Sequence, residues 1–217
     1  MSLFPTLRIF ILLLLVTFAE SFFKNSLTKI MTSEEEGSGT INGYSSPKYK
    51  VIKKTESYEL REYEPTHWVA TTGEGSRRTL GRTLFMRLFK YITGDNEFNS
   101  KIAMTVPVAN TFGPKEENPQ NITMHFFLTK SENPKPNNPD VFLTSYPTLK
   151  VYVRGYGGYT NDERRQEHIE ALKKDVGEDN YDFSYYFSCG YDAPWKFWNR
   201  HNEVWLLAKG KEEENKE

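Results

Sequence analysis

TLGRTLFMRLFKYITG, residues 79–94, lies between two runs of strand-like sequence, and its reading as a helix decides the fold. Gly94 supplies the stop. At about 100° per residue, Leu80, Leu84, Leu88 and Tyr91 fall within roughly 80° of one another, enough to seat a helix on a sheet. Ile92, Phe85 and Phe89 widen the apolar arc to about 180°, Arg82 and Met86 come next, and Lys90 stands a step farther round. An apolar shelf edged by cations suits a flat apolar molecule carrying carboxylates. A covering loop, for which residues 131–139 are the candidate, accounts for the surplus equally well.

Upstream of this helix, YKVIKKT (49–55), YELREY (58–63) and HWVATT (67–72) have strand spacing, and IAMTVPV (102–108) and ITMHFFL (122–128) follow it. The second half repeats the order. VFLTSY (141–146) and LKVYVRGY (149–156) precede a helix over residues 161–176 with Ile169, Leu172 and Val176 on one side; DFSYYFSCGY (182–191) and EVWLLA (203–208) come after it. A β-β-α-β-β order that appears twice predicts an α+β domain. Its mostly antiparallel sheet curls into a distorted barrel with two packed α-helices in pseudo-twofold relation.

The 217 residues leave room for one domain once the ends are removed. Residues 9–19 are an apolar run after one positive charge, with small residues at Ala19 and Ser21, so residues 1–21 read as a cleaved secretory signal. Glu20 interrupts the run well short of the ~20 residues of a membrane span; an uncleaved signal anchor is the alternative. Residues 22–46 read as a flexible polar leader, 47–210 as the domain and 211–217 as a charged tail. The expectation is a secreted, extracellular protein with no stable membrane insertion after signal cleavage. Asn121-Ile122-Thr123 is its one glycosylation triplet.

With 28 basic and 29 acidic residues, the chain has no single-sign field to recruit nucleic acid or an anionic membrane. Its 15% aromatic content fits apolar ligands or a β-rich core. His67, His125, His168 and His201 have no metal-binding spacing, so no metal site is expected, although one histidine suffices as an axial haem ligand. Cys189 is the only cysteine and has no evident base; no nucleophile elbow, phosphate loop or paired acid and base is present. A non-enzymatic protein is expected.

NSKIAMTVPV (99–108) and GYDAPWKFWNRHNEVWLLAKG (190–210), with YELREYEPTHWVATT (58–72), FKYITG (89–94) and VYVRGYGGYT (151–160), resemble the SOUL family of haem-binding proteins over residues 47–210. The resemblance implies a monomeric barrel-like sheet with two helices, and non-covalent binding of haem or other porphyrins. It places Arg82 and Lys90 at the propionates and Phe85 and Phe89 on the apolar contact, to which the helical arc adds Met86; Tyr191 is a weaker addition. Another branch of the family carries a histidine ligand where this chain has Glu62, and His67 is the possible axial substitute. The expectation is a secreted tetrapyrrole carrier or scavenger. The alternatives are a protein-interaction module of the same fold that has lost haem binding, and an enzyme using Cys189.

Overall fold

A computed structural model describes residues 39–113 and 121–210. The expected signal, residues 22–38 of the leader and the charged tail lie outside the described residues.

Structure begins inside the segment read as a leader. β1 (Thr40–Ile41) and β2 (Tyr44–Ser45) form a hairpin turned at Asn42 and Gly43, both at positive φ. It is fastened to the domain: the Asn42 side chain donates to Asp192 and the Val106 N–H to the Ser45 carbonyl. The folded region therefore starts before residue 47.

β3 (Tyr49–Lys54), β4 (Glu59–Tyr63) and β5 (Thr66–Glu74) lead into helix α1 (Arg77–Thr93), followed by β6 (Val108–Phe112) and β7 (Asn121–Leu128). β8 (Val141–Tyr146) and β9 (Leu149–Gly157) lead into α2 (Asp162–Val176), a short 3-10 turn (Glu178–Asn180), β10 (Tyr181–Gly190) and β11 (His201–Ala208). Nine strands form one curled antiparallel sheet, ordered β3-β4-β9-β11-β10-β6-β7-β5-β8. Outward from the central β6–β10 pair, the order is β7, β5, β8 on one side and β11, β9, β4 on the other. Each strand faces its counterpart from the other half of the chain. β5 and β9 are nine residues long and β7 and β11 eight, as a duplicated unit requires. The expected α+β architecture is present.

One strand is displaced. Residues 102–107 join no ladder, and β6 runs over VANTF instead of IAMTVPV. Pro107 has no N–H to give a ladder. The groups before it bond singly elsewhere: Ile102 N–H to the Ile92 carbonyl and the Thr105 hydroxyl to the Phe127 carbonyl.

Alternation along the strands separates two cores. In β11, Val204 and Leu206 face the helices while Trp205 and Leu207 fill the inside of the curl. Ser76 caps α1 by accepting from Thr79 N–H, and Asn161 caps α2 by accepting from Arg164 N–H. Leu84, Leu88, Tyr91 and Ile92 bury α1 against the sheet. Gly73 of β5 permits the close seat, since a Cβ there would stand 3.1 Å from Leu84 and 3.2 Å from Leu80. Among the described residues, no helix is long and apolar enough to cross a membrane.

Candidate functional site

The pseudo-twofold seam leaves a groove of about 650 Å³ on the helix side of the sheet. Its floor is the middle of the sheet: Val108 and Asn110 from β6, Met124 from β7, Gly190 from β10 and Asn202 from β11. Arg78, Gly81, Arg82 and Phe85 of α1 form one wall. The other is built by Tyr159, Thr160 and the N-terminal end of α2, with Asp192, Pro194 and Arg200 of the β10–β11 loop. The volume falls within the ~300–1,000 Å³ of small-molecule and cofactor sites.

Five of the residues expected at a ligand face are on α1 and follow one another at helical spacing. Arg82 and Phe85 line the groove; Met86 and Phe89 continue the stripe outward at 40% and 38% exposure, and Lys90 ends it. Phe85 stacks on Phe89 with ring centroids 5.8 Å apart and packs edgewise on Phe126 at 5.2 Å, so the shelf is anchored to the core. The 131–139 loop does not cover it. That loop lies at the C-terminal end of α1, where its Pro134 carbonyl accepts from the Tyr91 hydroxyl and Pro136 bridges Asn96.

Both groove carboxylates are engaged, Asp162 by Arg165 and Asp192 by Lys196 and the His201 N–H. Among the described residues, Arg78, Arg82 and Lys90 have no ion-pair partner. The groove thus presents cations on the α1 side and a floor that is apolar at Val108 and Met124 and polar at Asn110 and Asn202. Asn110 is 2% exposed and its Oδ1 has no hydrogen-bond partner, which leaves an acceptor at the floor. Asparagine is poorly suited to a central strand, so Asn110 was the available sequence signal for this polar spot. Nothing comparable marked Tyr159 or Arg200.

Two expected residues are elsewhere. Tyr191 is 3% exposed inside the curl, on the face opposite the groove, and donates to Glu203 Oε2 at 2.6 Å. His67 is not among the groove residues; its Nδ1 lies 2.8 Å from the Ser145 hydroxyl near the far end of β5. The other histidines do not line the groove either. His125 is buried among Trp68, Tyr146 and Phe187, its pKa lowered to about 4 by burial; His168 stacks on Tyr156; His201 meets Glu203. Asn121 is exposed at the start of β7.

The inner face carries a buried charge system. The Glu203 carboxylate, 2% exposed, accepts from Arg61, His201, Tyr191 and Trp205. Burial alone would raise its pKa, but the hydrogen bond from His201 and the charge of Arg61 hold it down to about 2. Cys189 is 1% exposed nearby, its thiol pushed up by burial and by Glu203, the opposite of an activated nucleophile.

A profile described as SOUL heme-binding protein matches residues 44–207. Heme-binding protein 2 of Homo sapiens is 35% identical over 163 residues, covering 70% of this chain and 78% of the human protein. Heme-binding protein 1 of Xenopus tropicalis is 28% identical over 178 residues, covering 77% of this chain and 94% of its own. Among solved structures, the EcmrR C-terminal domain superposes with a TM-score of 0.53 at 10% identity, over 70% of this chain and 96% of that one, a likeness of fold. With the match running over three quarters of the chain, from residue 44 to 207, and the nine strands of the duplicated sheet in place, the chain belongs to the SOUL family of haem-binding proteins.

Proposed function

We propose that the seam groove binds haem or a related tetrapyrrole without covalent attachment, and that the protein is a secreted, non-enzymatic carrier or scavenger, glycosylated at Asn121. The observation that carries this reading is the unpaired α1 stripe, in which Arg82, Phe85, Met86, Phe89 and Lys90 put apolar area between two cations. The groups present fit a porphyrin. Phe85, Val108 and Met124 supply apolar contact, and the unengaged Arg78 and Arg82 suit propionates. No groove residue is a histidine, so the binding proposed rests on surface and charge and accepts metal-free porphyrin as well as haem.

Removing roughly 300 Å² of apolar porphyrin surface from water is worth on the order of 7 kcal/mol before association costs. Exposed cations add modestly to that. Reversible binding follows, as a carrier needs. Titration of haemin into the protein should shift the Soret band and quench tryptophan fluorescence. Arg82→Ala combined with Phe89→Ala should weaken binding by roughly tenfold or more, while His67→Ala should leave the spectrum unchanged. An unchanged Soret band in the wild type would sink the reading.

A further inference from the structure

The β10–β11 loop exposes three large aromatic side chains in four residues: Trp195 at 81%, Phe197 at 84% and Trp198 at 79%. Soluble surfaces rarely gather aromatics this way without a use for them. The loop is also braced. Arg200 donates to the carbonyls of Ala193, Lys196 and Asp192, and its guanidinium lies 4.3 Å over the Tyr159 ring. The Tyr159 hydroxyl donates to the Pro194 carbonyl, and Asp192 accepts from the His201 N–H at 2.6 Å. The aromatics are therefore held outward on a preformed frame, and little conformational entropy remains to be lost when they are buried.

Charge narrows the occupant. Across residues 192–200 the one carboxylate, Asp192, is 3% exposed and paired with Lys196, so Arg200 leaves the loop with a net positive charge and no exposed anion. Tryptophan and phenylalanine beside a net positive charge, with no exposed anion, is the chemistry of a segment that seats at the headgroup level of an anionic bilayer. We propose that this loop is a peripheral membrane-docking tip for anionic phospholipid surfaces. The near-zero net charge of the chain gives no long-range attraction, so docking is short-range and reversible, without a spanning element. Pro194 and Arg200 also line the groove, so docking sets the groove mouth against the lipid surface; the proposal itself holds whether or not the groove takes a tetrapyrrole.

The four tryptophans make a built-in test. Trp68 and Trp205 are 4% and 3% exposed, whereas Trp195 and Trp198 are on the tip. The full chain, with whatever N-terminal processing a eukaryotic host performs, is mixed without haem with vesicles of phosphatidylcholine and phosphatidylserine, with and without brominated acyl chains. Insertion should blue-shift the tip emission and brominated chains should quench it, both less so in pure phosphatidylcholine. Phe197→Asp keeps both reporters and removes no packed group, and should lower the partition by about tenfold or more while preserving the melting temperature. Lack of quenching in the wild type, equal quenching in Phe197→Asp, or no preference for phosphatidylserine each overturns the proposal. Haemin titration of Phe197→Asp reads the groove separately, so failure of one reading is distinguishable from failure of the other.

Discussion

Tyr191 and Asp192 are adjacent in sequence and serve opposite faces of the sheet. Asp192 borders the groove; Tyr191 donates to Glu203 inside the curl. Counting alternate residues from the start of β10 does not reveal this, because the pairing with β11 jumps from Asp182–Leu207 to Tyr186–Leu206. An irregularity of that kind shifts which side chains face which side, and it is set by the partner strand. Tyr191→Phe should therefore leave haemin binding unchanged and lower stability by about 1–3 kcal/mol, the usual cost of losing a buried hydrogen bond to a charged group. Urea unfolding beside a haemin titration checks both halves of that statement. Glu203 adds a pH signature. Its folded pKa of about 2 lies below the ordinary 4.5, so its contribution is complete above 4.5 and is lost as pH falls toward 2. Glu203→Gln should flatten that part of the acid limb, and it should cost stability at neutral pH because His201 loses its carboxylate partner and Arg61 keeps only Glu59. An unaltered acid limb would show that other carboxylates govern it.

At the scale of the element, α1 divides its labour between neighbours. Leu88 is fully buried and Phe89, the next residue, is 38% exposed on the outer stripe proposed to meet the ligand. Leu88→Ala should cost about 2–5 kcal/mol through lost burial and the cavity left behind. Phe89→Ala should cost far less in thermal unfolding and appear mainly as weaker haemin binding; equal losses of stability would mean that the stripe is core. The arc of α1 was legible because helical periodicity is local, and so were its caps and the seating role of Leu84 and Leu88. Whether another segment covered the outer part of the arc was not. That depended on where the 131–139 loop came to rest, and it rests on Tyr91 and Asn96. Likewise the motif APWKFWNR was visible as sequence, but aromatic residues in a strand-rich chain read as core until the chain path shows them outside.

For the whole molecule, the repeated β-β-α-β-β order was readable from turn residues and strand spacing, and it carried the two-helix α+β fold. The strand order was not, since β6–β10, β4–β9 and β5–β8 join segments far apart in sequence. That non-local pairing is also what creates the groove. Its walls come from the α1 side of the first half and the N-terminal end of α2 in the second, and its floor is the β6–β10 seam. A ligand seated there touches both halves, so it binds only when both are folded and correctly paired. Mass action then stabilises the entire domain, by about 2.7 kcal/mol when free ligand is a hundredfold above its dissociation constant. Haemin or metal-free porphyrin should raise the midpoint of a single cooperative transition followed by far-ultraviolet circular dichroism. The shift should grow with ligand concentration and shrink in the Arg82→Ala, Phe89→Ala double variant. A second, ligand-insensitive transition would mean that the halves unfold independently and that the seam does not couple them.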